Sequence, residues 1–132
     1  MSKITSTSRI PAEYNRQAFY EIFRRIDEMI NRYFDGYLFP VKSLTSTDSP
    51  YTVNKNDSVI LANTTGGSIT INLLAAEQMK EKRLIVKKTA AANTVTIDPN
   101  GSETIDGAAT LAWTTQYVSR DIVSDGSNWF VV

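Results

Sequence analysis

Hydrophobic positions follow two regimes along the chain. From Ala12 to Asp35 they recur with a helical period. Phe19, Ile22, Ile26, Met29 and Tyr33 are separated by three, four, three and four residues, the spacing that places side chains along one seam of a helix. Phe23 and Ile30 widen this stripe, while Glu21, Arg24, Arg25, Asp27, Glu28 and Arg32 fall off it. Glu21–Arg25 and Glu28–Arg32 are i,i+4 pairs in the favourable order. Pro11 suits a first helical turn, where a missing N–H costs nothing. Asp35-Gly36 supplies a stop.

After the Ser/Thr-rich connector KSLTSTDSP (42–50) the period changes to two. Alternation predicts strands at 51–54, 58–63, 68–73, 83–89, 94–98, 109–114, 116–124 and 129–132. Turn signals separate them: Thr65-Gly66-Gly67, Asp98-Pro99-Asn100-Gly101, Asp106-Gly107 and Asp125-Gly126-Ser127-Asn128. AAEQMKEK (75–82) breaks the alternation and reads as a helical turn between two strands. The expected fold is mainly β: an N-terminal α-helix followed by an antiparallel β-sandwich or barrel-like module. Three segments follow: a flexible anchoring arm (1–11), a helix and connector for oligomerisation and attachment (12–50), and a β module (51–132).

The helix stripe admits two readings, packing on its own domain or on copies of itself. The stripe is wide, and Tyr37, Leu38, Phe39 and Val41 extend the apolar surface past the helix. A small β domain has little room to cover so much, which favours self-association. The candidate oligomer interface is therefore Phe19, Ile22, Phe23, Ile26, Met29, Ile30 and Tyr33.

Charge changes this picture little. Lys plus Arg and Asp plus Glu number 14 each, so there is no broad pull toward nucleic acid or an anionic membrane. The basic cluster Lys80, Lys82, Arg83, Lys87 and Lys88 is interrupted by Glu81 and reads as a solvated face. Cys and His are absent, which removes disulfides, the usual zinc ligands, thiol nucleophiles and histidine bases. No apolar run approaches the about 20 residues of a membrane span. No secretory h-region is visible in Met-Ser-Lys-Ile-Thr-Ser, so the expectation is assembly in a cytoplasm.

Glu103, Asp106 and Asp98 are the nearest thing to a catalytic carboxylate cluster. Each sits in a turn with Gly, Pro or Asn, where an acidic side chain serves its own turn, and Asp57 and Asp125 read the same way. Thr64-Thr65-Gly66-Gly67 lacks the Lys-Ser/Thr ending of a phosphate loop. Tyr51, Trp113, Tyr117, Trp129 and Phe130 read as core or interface anchors before they read as a stacking platform. No catalytic, cofactor-binding or metal residue is assigned, and the chain is expected not to be an enzyme.

The segment Tyr51–Val132 carries the phrases ILANTTGGSITINL, LIVKKTAAANTVTIDPNGSETIDGAATL, TQYVSRDIVSDGSNW and a terminal FVV. In these it resembles a module of tailed-bacteriophage virion proteins, namely tail-fibre, head-fibre and capsid-decoration proteins. IPAEYNRQAFYEIFRRIDEMINRY resembles the adaptor end of small phage structural proteins. The resemblance implies a homotrimer, built as a mechanically stable outer surface on the virion. A long fibre has a shaft between anchor and tip; here the β module begins by residue 51, which favours a capsid decoration, cement or short head-fibre protein. Ile4, Ile10, Pro11, Tyr37, Leu38 and Phe39 are the candidate attachment residues, and the expected partner is a major capsid protein or another virion protein. Two alternatives remain: a tail fibre or tail-tip component for host-receptor binding, and a carbohydrate-binding domain, each with a host surface glycan as partner.

Overall fold

The computed structural model describes residues 12–37 and 39–132, with helix side chains described over 15–33. The helix and the segment Phe39–Val132 are separate compact units. Helix α1 runs Ala12–Tyr37. It passes Gly36 by one residue, so Asp35-Gly36 marks its last turn.

The β unit holds β1 (Val41–Thr45), β2 (Tyr51–Thr52), β3 (Val59–Asn63), β4 (Ile69–Asn72), β5 (Arg83–Lys88), β6 (Val95–Asp98), β7 (Leu111–Trp113), β8 (Ser119–Ser124) and β9 (Trp129–Val131). They form a five-stranded sheet, β1-β3-β5-β8-β9, and a four-stranded sheet, β2-β4-β6-β7. Neither closes into a barrel. One 3-10 turn, Ala76–Met79, occupies the predicted helical turn.

The antiparallel expectation holds only for the C-terminal third. Through β6, successive strands alternate between the two sheets, so the chain coils and returns each time in the same direction. β1, β3 and β5 therefore pair in parallel, as do β2, β4 and β6. Antiparallel pairing is confined to β5 with β8, β6 with β7 and β8 with β9. Parallel neighbours need a crossover, which usually is a helix. Here the crossover is a strand of the opposite sheet, so no helical segment announces it. From Val59 to Ile85 and from Ile69 to Val95 the register advances by the same number of residues, which keeps the two sheets in step.

β1 is a second correction. Val41–Thr45 lies in the segment read as connector, and its polar Lys42, Ser43 and Thr45 conceal a strand that buries only Leu44. Being an edge strand, it has little apolar surface to show.

Ile60, Ala62, Leu84, Val86 and Ile122 from one sheet meet Ile69, Ile71, Val95, Ile97 and Trp113 from the other, with Met79, Ile105 and Trp129 in the same cluster. All lie within the β unit, so it has its own core, each large side chain contributing about 1.5–3 kcal/mol. Polar pins fix the loops. Ser49 Oγ accepts the Thr70 N–H at 2.9 Å. Asn93, with φ of 64°, donates its side-chain amide to the Thr64 carbonyl at 2.8 Å. A Cβ at Gly66 would lie 2.7 Å from Ser46 Oγ, so that turn accepts only glycine without displacing its neighbour.

Candidate functional site

The helix carries the first candidate surface. Phe19, Ile22, Phe23, Ile26, Met29, Ile30 and Tyr33 are all exposed, between 42% and 66%. Phe19 and Phe23 stack one turn apart, centroids 6.1 Å. Glu21 pairs with Arg24 at 2.6 Å, an i,i+3 contact, and not with Arg25. No ion pair joins Glu28 to Arg32 among the described residues. These surface pairs contribute little. Of the attachment residues, Phe39 is exposed at 74%. Ile4, Ile10, Pro11, Leu38 and the Tyr37 side chain lie outside the described residues.

The acidic side chains of the β unit are mostly engaged in structure. Glu103 accepts the Ala76 N–H at 3.0 Å on either oxygen and the Trp129 indole N–H at 3.3 Å. Asp106 accepts the Val131 N–H at 3.1 Å. Asp57 accepts the Tyr51 hydroxyl at 2.6 Å and the Asn54 N–H at 3.0 Å. Lys42 reaches in from β1 to lie 4.9 Å from the Tyr51 ring centroid, so these three side chains link the edge strands of both sheets. Partial burial, then the bond to Asp57, pushes the Tyr51 hydroxyl above its ordinary pKa. Asp125 accepts the N–H groups of Asn128 and Ser127, both at 2.8 Å, and these hold its carboxyl below the usual range. Glu103 and Asp106, adjacent in the sequence cluster, thus serve different backbone segments.

Asp98 differs. Of the aspartates in the β unit its side chain alone has no hydrogen-bond or ion-pair partner among the described residues. It stands in register with Asn72, and Asn72 with Thr52, across the ends of three parallel strands. These residues, with Leu73, Pro99, Asn100 and Gly101, line a cleft of about 330 Å³. The parallel pairing creates this row, and an antiparallel reading could not assemble it.

Of the basic cluster, Lys80, Lys82 and Arg83 are exposed and Lys87 is half-buried, in keeping with a solvated face, but Lys88 is not. Arg83 is bound to Asp121, with Nε 2.7 Å from both carboxylate oxygens. Lys82 donates to the Lys55 carbonyl at 2.6 Å. Lys88 is fully buried and donates to the Ala90 carbonyl; it falls on the inward side of β5, where alternation overrides its charge. Trp113 and Trp129 are core residues, while Tyr117 and Phe130 are exposed, so the aromatic side chains make no shared shelf.

Among the described residues no group of three or more acidic side chains could hold a metal ion, and no helix is long and apolar enough to cross a membrane. No protein-family model matches this chain, and no curated protein is significantly similar to it.

Proposed function

We propose that this chain is a non-enzymatic structural protein of a tailed-phage virion, a homotrimeric capsid decoration, cement or short head-fibre protein. One observation carries the self-association: a heptad-spaced apolar stripe exposed along α1, while the β unit has a core of its own. Large exposed apolar surfaces mark interfaces. The virion assignment rests on the sequence phrases of residues 51–132. In this reading α1 joins the copies, segment 1–11 and the residues after the helix hold the capsid, and the β unit faces outward. The major capsid protein or another virion protein is the partner, and no nucleic acid or membrane insertion is involved.

Deleting residues 1–11 tests attachment. The β unit has a core of its own among the described residues, so the truncated protein should remain a folded oligomer. It should no longer co-sediment with bare capsids that the full chain binds. Equal binding by both proteins would move the anchor to another segment, and absence of the full chain from purified virions would defeat the assignment.

A second reading, a tail-tip component that binds a host surface glycan, is favoured by the Thr52–Asn72–Asp98 cleft. Hydroxyl, amide and carboxylate groups in one row match neutral polyhydroxylated ligands, which both donate and accept. On a glycan array the full chain should then retain a ligand that Asp98→Ala loses, with the fold intact by circular dichroism. No retained glycan would leave the decoration reading alone.

A further inference from the structure

Three turns of the β unit place glycine directly after a residue that can close a succinimide ring: Asn100-Gly101, Asp106-Gly107 and Asp125-Gly126. In that closure the glycine backbone nitrogen attacks the side-chain carbonyl carbon of the residue before it. The side chain must be free to turn onto its own backbone, and the glycine N–H must be unengaged. The missing Cβ then leaves the approach unobstructed. The fold meets all of these conditions at Asn100.

Asp125 is held in place. Its carboxylate accepts the N–H groups of Ser127 and Asn128, and the Gly126 N–H donates to Ser124 Oγ at 3.0 Å. The Asp106 carboxylate accepts the Val131 N–H at 3.1 Å. Asn100 is exposed, and its side-chain amide has no hydrogen-bond partner among the described residues. The Gly101 N–H has none either. Gly101 has φ of 58°, and even a Cβ built there would meet nothing within 4 Å. The Glu103 N–H donates to the Asn100 carbonyl at 3.0 Å, which closes the turn and leaves the side chain free. Asn100 is also the only asparagine of the chain that glycine follows. Asn63, Asn93 and Asn128 precede larger residues, and each spends its side chain on a hydrogen bond to the backbone.

We propose that Asn100 is a spontaneous modification site, at which the folded chain loses a side-chain amide and gains a carboxylate in the Thr52–Asn72–Asp98 cleft. The Gly101 nitrogen gives up its proton and bonds to Cγ of Asn100. The Cγ–Nδ2 bond breaks, and the amide group leaves as ammonia with a proton from solvent. Water then opens the ring. Attack at the side-chain carbonyl gives aspartate, and attack at the backbone carbonyl gives isoaspartate. One water is consumed and one ammonia released, with no oxidant or cofactor. Asn100 and Asp98 line the same cleft, so its lining acquires a second carboxylate and keeps only the Asn72 side-chain amide. A surface that both donates and accepts becomes mainly an acceptor with added negative charge. The inference rests on neither the virion assignment nor the glycan reading.

The formal net charge of the chain is zero, so one added negative charge separates in isoelectric focusing. An acidic form of the full chain should accumulate during storage at mildly alkaline pH. It should form faster as pH rises, because the attacking nitrogen must lose its proton. Peptide mass mapping should place the conversion at residue 100, about tenfold or more faster than at any other asparagine, since only there is the approach unobstructed by a Cβ. Both aspartate and isoaspartate should be found. Asn100→Asp should focus with the aged form from the start. Asn100→Gln, which would need a larger ring, should stay unconverted, with its fold intact by circular dichroism. The guanidinium-unfolded chain is the reference. The folded chain should convert within about tenfold of its rate, as expected of a site that reacts without unfolding. An acidic form that maps to another residue would overturn the proposal. So would a folded chain that keeps Asn100 intact while the unfolded chain converts it.

Discussion

Trp129→Ala should be the most destabilising single substitution in the β unit. Trp129 is fully buried, and emptying such a site costs about 3–5 kcal/mol. That is a large share of the about 5–15 kcal/mol that hold a domain folded. The side chain also anchors a polar junction. Its indole N–H donates to Glu103, whose carboxylate caps the turn at Ala76. Its backbone N–H donates to the Thr104 carbonyl at 2.8 Å, and its carbonyl accepts the Asp106 N–H at 3.0 Å. The cavity would therefore open where β9, the 103–106 turn and the 3-10 turn meet. Urea unfolding should show a large drop in midpoint with an unchanged slope, since the surface exposed on unfolding is the same. Glu103→Ala, which keeps the indole but strips two donors of their acceptor, should show a smaller loss of about 1–3 kcal/mol. A Trp129→Ala midpoint no lower than that of Glu103→Ala would show that the junction, and not the filled volume, sets the stability here.

The sequence revealed which segments are strands far better than which strands are neighbours. Eight segments were legible because alternation and Gly, Asn and Asp turns are local properties. Pairing is not local. Ile69 opposes Val95 and Val59 opposes Ile85 because the chain coils between sheets, and period-two alternation is the same whether a neighbour runs parallel or antiparallel. One signal of the true arrangement was present. The runs Val59–Ala62 and Leu84–Val86 exceed what a half-buried antiparallel strand requires. β1 was hidden because an edge strand that buries one leucine resembles a polar linker. The structural use of Glu103, Asp106 and Asp57 followed from their turn setting. The Thr52–Asn72–Asp98 row could not be read, because it joins three distant segments through the parallel register. Lys88 ran against its charge: the strand period placed it inward, and a carbonyl acceptor was enough to hold it there.

On the proposed self-association through α1, Ile26→Asp should dissociate the oligomer while leaving the β unit folded. Ile26 is central in the stripe, with Phe19 and Ile22 on one side and Met29 and Tyr33 on the other. At 42% it is also among the least exposed of these residues, and at a seam it would be enclosed from both sides. A carboxylate there faces Ile22, Phe23, Met29 and Ile30 at the i±3 and i±4 positions, and no cation on the stripe itself can receive it. Burying it unpaired costs several kcal/mol per chain, by the about 3–5 kcal/mol penalty of an uncompensated buried charge. In a symmetric assembly every copy pays that cost at once, so association should fail outright. Sedimentation velocity should show monomer. Far-ultraviolet circular dichroism should retain the β signal, because the β unit's core lies wholly within residues 44–129. Ile26→Leu, equal in size and apolar, should sediment as the unaltered chain and so exclude a general effect of substitution at this position. Should Ile26→Asp keep its full sedimentation coefficient, the stripe is not the seam and the proposed self-association through α1 is wrong.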